Sequence, residues 1–444
     1  MKQIIRLKSI VTIVILLSAF IAKSQNTILI NNVKIFNGKD AKTISGNVLI
    51  ENNLITKIST GPILTNKSGD TKIIDGKGKY LIPGLIDNHV HLAMNTAPQE
   101  VLLTLSVASL DSLQIIEGNK MLLRGFTTIR DLGGPVFTAK KEFDKGTFPG
   151  PRIFPSGAMI SQTSGHGDAR MPFEKSKHYG GEVSKAELMG VSYIADGVPE
   201  VLNAVRESLR SGATQIKVHA GGGAATLYDP LDVSQYTFEE LKAAVDAAED
   251  WGTYVCVHAY TSKAVRRSIE AGVKVIEHGQ LLDDSTLKLM ADKGIFLSLQ
   301  ALDPAPPQAP EAVKVKKQQV IDGTDLAFIT AKKYNIKILW GTDYLFDPKS
   351  AARQSTDILK LKKWFTPFEI LKLITYDNAK IFELSGQRNP YQAGKLGEIS
   401  EGSYADVILV DGDPLKNIDL VTSPEKNFVL IIKDGKIYKN TLNK

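Results

Sequence analysis

Leu81-Ile-Pro-Gly-Leu-Ile-Asp-Asn-His-Val-His91 is an apolar run that closes on two histidines one residue apart. Strand side chains alternate faces, so an H-x-H at a strand end turns both imidazoles to one side and the valine to the other. The same device recurs downstream. Thr214-Gln-Ile-Lys217 ends in lysine, Tyr254-Val-Cys-Val-His258 and Val275-Ile-Glu-His278 end in histidine, and Asp343 follows Ile336-Lys-Ile-Leu-Trp-Gly-Thr342. Helical signals lie between these runs. Thr237-Phe-Glu-Glu240 is a capping box opening a helix through Trp251, with Gly252 as its stop; residues 196–211, 262–271 and 284–292 also read as helices. Such alternation predicts an α/β chain of parallel strands, a (β/α)8 barrel whose functional residues gather where the strands finish.

Four of the seven histidines, His89, His91, His258 and His278, fall at predicted strand ends in the order a barrel needs, together with Lys217 and Asp343. A lone H-x-H or a lone strand-end lysine is a weak signal, but six residues in this order point to two metal ions. Neutral imidazole and carboxylate bind zinc-type divalent ions well, whereas a lysine ammonium cannot ligate. Lys217 is the odd member of the set.

The ordered set resembles the amidohydrolase superfamily, in particular its binuclear imidazolonepropionase-like and Xaa-Pro dipeptidase-like members. The resemblance is carried by the stretch 81–91, by Gly125-Phe-Thr-Thr-Ile-Arg-Asp131, Ser164-Gly-His-Gly-Asp168, Ala195-Asp-Gly197, Gly341-Thr-Asp343 and Gly402-Ser-Tyr-Ala-Asp406, and it runs from about residue 27 to the C-terminus. It implies two divalent ions, with zinc the expected metal: His89, His91 and Asp343 on the more buried one, His258 and His278 on the other. Lys217 would bridge them as a carbamate made with CO2. It also implies a hydrolase of C–N bonds, in which two metals about 3.5–4 Å apart share the attacking hydroxide and polarise the carbonyl. Asp343 would move a proton from that hydroxide to the departing amine.

For the substrate, His166 and Tyr260 match positions where dipeptidase-like relatives bind a carboxylate or carbonyl, and His219 stands where relatives often carry Met. The expected substrate is a small molecule, a dipeptide or an N-acyl amino acid. Cyclic amidase, lactonase and deaminase activities are the alternatives within the superfamily, and a non-catalytic binding protein is the alternative outside it. Tyr344-Leu-Phe-Asp-Pro348 departs from the small residues common in the wider group, so imidazolonepropionase activity itself is not implied.

The barrel is expected over residues 81–394. Short alternating strands with turn signals occupy 27–80 and resume over 395–440, where Asp434-Gly435 marks a hairpin. Neither half has enough strands for a core, so the two should pair into one composite β-sandwich. Residues 1–25 read as a secretory signal peptide: Lys2, Arg6 and Lys8, then an apolar or small run 9–22, then Ala22-Lys-Ser24. The expected location is therefore periplasmic or secreted, with no membrane span after cleavage. Loss of that segment lowers the formal charge from +6 to +2, and no basic run with interleaved aromatics suggests a nucleic-acid partner. A homo-oligomer is compatible with this reading. The single cysteine, Cys256, excludes an intramolecular disulfide and reads as buried apolar filler.

Overall fold

The computed structural model describes residues 26–65 and 71–442, so the expected signal peptide lies outside the described residues. The strands are β1 (Thr27–Ile35), β2 (Ile44–Glu51), β3 (Leu54–Ser59), β4 (Thr71–Asp75), β5 (Tyr80–Pro83), β6 (Leu85–Val90), β7 (Phe126–Asp131), β8 (Arg152–Pro155) and β9 (Met159–Ser161). They continue as β10 (Ser192–Ile194), β11 (Ile216–His219), β12 (Val255–Thr261), β13 (Val275–Leu281), β14 (Phe296–Leu299), β15 (Lys337–Trp340), β16 (Val407–Val410), β17 (Phe428–Lys433) and β18 (Lys436–Asn440). The chain is an α/β protein built on parallel sheets. β6, β7 and β8 form one, and β10-β9-β11-β12-β13-β14-β15 form the other.

The strands at the two chain ends join in one hydrogen-bonded, mostly antiparallel sheet, β18-β17-β16-β5-β1-β2-β3 with β4 also on β1. The apolar run quoted above is two strands. Tyr80–Pro83 pairs with β1 and β16 of this sheet, and Leu85–Val90 pairs with β7 of the parallel one. Gly84 makes the passage, since a Cβ there would stand 2.1 Å from Thr127 Oγ1. Arg152 ties the two units together, with Nη1 on Asp406 and Nη2 on Asp434, both at 2.6 Å, and its guanidinium over the Tyr404 ring.

The helices form where the sequence signals lie. Thr237 and Glu240 make the reciprocal capping box of helix Phe238–Asp250, and Gly252 follows with φ +70°. Helices Gly197–Arg210, Ser262–Ala271 and Asp284–Lys293 each lead into a strand. Beneath the functional ends, Ile86, Phe154, Cys256, Val275 and Leu339 pack with Phe382, whose ring stacks on Phe154 at 3.8 Å. Each such fully buried aliphatic side chain stabilises the fold by roughly 1.5–3 kcal/mol. Cys256 is thus part of the core. Among the described residues no helix is long and apolar enough to cross a membrane.

Candidate metal centre

The strand ends bring the six residues singled out in the sequence into one buried cluster. Lys217, His258 and His278 lie within β11, β12 and β13 rather than at their last residues, and the strands run on past them. The His89 and His91 rings lie 5.3 Å apart, His89 and His278 5.3 Å, and His258 and His278 4.4 Å. His89 Nε2 and His91 Nε2 approach the same oxygen, Asp343 Oδ1, at 3.3 and 3.2 Å. Lys217 Nζ stands 3.4 Å from His89 Nε2. One ligand atom each from His89, His278 and Asp343 fall within 4.8 Å of one another.

The second contacts of these groups fix their chemistry. Glu277 receives Arg130 Nη2 on one oxygen at 2.6 Å and faces His89 Nδ1 with the other at 3.0 Å, and all three side chains are fully buried. Burial opposes charge on Glu277, but Arg130 and then His89 outweigh it and hold its carboxyl far below the ordinary range. An ionised Glu277 can only accept, so Nδ1 carries the His89 proton. Burial pushes His89 down to about 4 and His278 to about 3, and holds His219 and His258 well below their usual value.

Neutral His89 therefore presents an Nε2 lone pair toward Asp343. Asp343 Oδ1 stands 3.3 Å from that lone pair, and an ionised carboxylate can only accept. Two acceptors facing each other at 3.3 Å call for a cation between them. The residues present thus fit divalent ions, and the donor set of imidazole and carboxylate suits zinc.

Two buried carboxylates that the sequence reading did not single out hold the ligand-bearing turns. Asp87 accepts from the His89 N–H at 3.2 Å, the Thr342 N–H at 3.1 Å, the Thr342 hydroxyl at 2.8 Å and Gln354 at 2.9 Å. Asp131 accepts from the Leu92 and Gly133 N–H groups at 2.7 and 3.2 Å. Burial raises the first carboxyl to about 6 and the second to about 7. Gln300 Oε1 takes His278 Nδ1 at 2.8 Å.

The candidate substrate groups flank the cluster. The His166 ring lies flat on His258, centroids 4.1 Å apart, and its Nδ1 meets Asp229 Oδ2 at 2.9 Å. Gly223 makes room, since a Cβ there would fall 1.8 Å from the imidazole. Tyr260 stacks on His278 at 5.0 Å, and burial raises its hydroxyl pKa so that it stays protonated. His219 is edge-on to both His166 and His258. His178, the remaining histidine, lies apart beside Glu200.

A parallel α/β scaffold with this cluster at its strand ends defines a hydrolytic enzyme. Residues 80–439 match the amidohydrolase family, and the chain belongs to it. It is 31% identical over 381 residues to the ochratoxinase of Aspergillus niger, covering 81% of this chain and 75% of that one. Among solved structures, a prolidase complexed with N-methylphosphonate-L-proline superposes with a TM-score of 0.85 at 30% identity, over 94% of this chain and all of that one. A Xaa-Pro dipeptidase with bound methionine gives 0.78 at 27% identity, over 93% of this chain and all of that one. The dipeptidase-like resemblance expected from the motifs is therefore present among its neighbours.

Proposed function

We propose that this protein hydrolyses the amide bond of dipeptides or N-acyl amino acids that carry a free carboxylate. The observation that carries the proposal is the convergence of His89, His91, Lys217, His258, His278 and Asp343 in one buried cluster. The prolidase neighbour holds an N-substituted L-proline, which supports an N-substituted amino acid here. The proposal includes closure of the parallel strands into a (β/α)8 barrel, supported by the contact of the turn after β15 with His89, and pairing of the end segments as a β-sandwich. It also includes export, which rests on the apolar run 9–22.

In this reading His89, His91 and Asp343 would hold one divalent ion, His258 and His278 would hold a second, and Lys217, carboxylated by CO2, would serve as a ligand to both. Bound divalent ions supply Lewis acidity toward the scissile carbonyl and acidify water. Asp343 takes the proton of the attacking water and passes it to the leaving nitrogen. The Tyr260 hydroxyl donates to the carbonyl oxygen as negative charge develops there. His166, braced by Asp229, and His219 wall the acyl side.

The test is a hydrolysis screen of dipeptides, N-acyl amino acids, their carboxamides, lactones and aminopurines on protein reconstituted with zinc and bicarbonate. Free-acid amides should be the best substrates and two ions should bind per chain. Better turnover of a lactone, an aminopurine or a blocked amide than of every free acid would overturn the substrate class. One ion per chain after reconstitution would overturn the paired site.

A further inference from the structure

A substrate with a free carboxylate needs a cation, and His166 is poorly placed to supply it. Its Nδ1 is taken by Asp229, a carboxylate only 2% exposed that also accepts from the Gly223 N–H at 2.6 Å and from the Thr226 hydroxyl. A second carboxylate beside it would meet an anion. Tyr260 is neutral. The remaining cations around the mouth are mostly committed: Lys316 donates to the carbonyl oxygens of Thr226 and Asp229, Lys360 pairs with Asp303 and Asp357, Arg353 with Asp303, and Arg170 with Asp168.

Lys317 is different. It is half-buried, yet among the described residues its side-chain ammonium has no hydrogen bond and no ion pair. It lies on helix Glu311–Lys333, three residues before Val320, so the two share a face. Val320 is fully buried in a small apolar cluster with Tyr260, Ala224 and Leu231. One turn further on, Gly323 lies against β13, where a Cβ would come 2.3 Å from the Gln280 carbonyl oxygen. This face therefore roofs Tyr260 and the end of the strand that carries His278, and helical side chains lean toward the N-terminus, which brings Lys317 to the rim. Burial lowers its pKa, the Asp303 carboxylate opposes that, Lys360 adds to it, and the charge of Asp343 also reaches the ammonium.

A partly desolvated ammonium without a partner is costly until an anion arrives. We propose that Lys317 receives the carboxylate of the substrate and so determines the preference for free-acid amides. The proposal rests on the substrate class given above.

The experiment compares a free-acid dipeptide and its carboxamide on the reconstituted wild type, Lys317→Met and Lys317→Arg. Methionine keeps the apolar stem, and thermal unfolding checks that each variant folds. In Lys317→Met the free-acid preference in kcat/KM should shrink by about tenfold to a hundredfold, mainly through KM, the size expected for a lost charge-assisted hydrogen bond. Lys317→Arg should retain most of it. Calorimetric binding of an N-phosphonyl amino acid and its carboxamide should show the same loss without turnover. A wild-type preference that survives in Lys317→Met, by rate and by binding, would overturn the assignment while leaving the substrate class intact. A wild type without any free-acid preference would instead overturn the substrate class, and this role with it.

Discussion

The backbone N–H of Asp343 donates to the carbonyl oxygen of His89 at 2.8 Å. The first and last members of the cluster, 254 residues apart in sequence, are thus joined through their main chains. Asp343 and His278 both hold positive φ, +53° and +80°, which costs a residue with a Cβ about 1–3 kcal/mol each. Asp87 helps to meet that cost at Asp343 by gripping both the His89 and Thr342 N–H groups. Backbone geometry, the two positive φ angles and the grip of Asp87 together aim these side chains.

Gly341 is the weak point of this arrangement. A Cβ there would lie 2.3 Å from the His89 backbone nitrogen, which cannot swing aside as a side chain can. Gly341→Ala is expected to destabilise by about 1–3 kcal/mol through forced backbone shift. Ion affinity should fall with it. Denaturant unfolding and ion titration check this, and an alanine variant with wild-type values for both would show that the two strand ends do not need their close approach.

Asp343→Asn tests the proton-moving role. Asparagine accepts the left-handed backbone as readily as aspartate, so the turn should persist. We expect kcat to fall by about 10²–10⁴ with a much smaller change in KM. Ion content must be measured on the same samples, because a loss of ions that accounts for the whole loss of rate would leave Asp343 as a ligand only.

Glu277→Gln removes the charge that balances fully buried Arg130. Breaking one side of a buried pair costs about 3–5 kcal/mol. The amide is also a poorer partner for His89 Nδ1, and loss of such a support typically weakens ion binding by about tenfold to a hundredfold. Replacing both partners, as Glu277→Leu with Arg130→Met, should recover stability but not ion affinity. Full recovery of both would mean that Glu277 acts on stability alone.

The parallel α/β scaffold, and the approach of six polar residues to one another within it, could be read from the sequence because the pattern is local: an apolar run on a strand, then a polar residue at or near its end. What lay beyond the sequence was contact across the structure. Glu277 precedes His278 directly, and strict alternation would turn it away from the cluster; the positive φ of His278 breaks that alternation. Asp229 sits in a loop without strand or helix signals, and only its contact with His166 gives it meaning. The apolar run 81–91 hid the passage between the two sheets, because both strands are buried and only Pro83-Gly84 marks the break. The sequence 301–315, rich in Pro and Ala, reads as a loop, but helix Glu311–Lys333 begins within it; Pro310 precedes its first turn and no side-chain cap announces it.

The final prediction concerns the junction between the sheets. Lys433 on β17 is 3% exposed, and burial first, then the charge of Arg152, push its pKa down to about 8 against the pull of Asp406 and Asp434. In the unfolded chain a lysine titrates near 10.4. Between these values the unfolded state binds more protons than the folded state, so stability rises with pH through that window. Below about pH 8 both states are protonated at this site, and the folded protein carries the full cost of the buried ammonium. Lys433→Met should therefore be more stable than the wild type at pH 7, with the difference narrowing as pH rises from about 8 toward 10.4. Urea unfolding of the two proteins at pH 7, 8.5 and 10 measures the difference directly. A constant difference across that series would show that Lys433 has the same proton affinity folded and unfolded, and that its place between Arg152 and the two aspartates is electrostatically neutral.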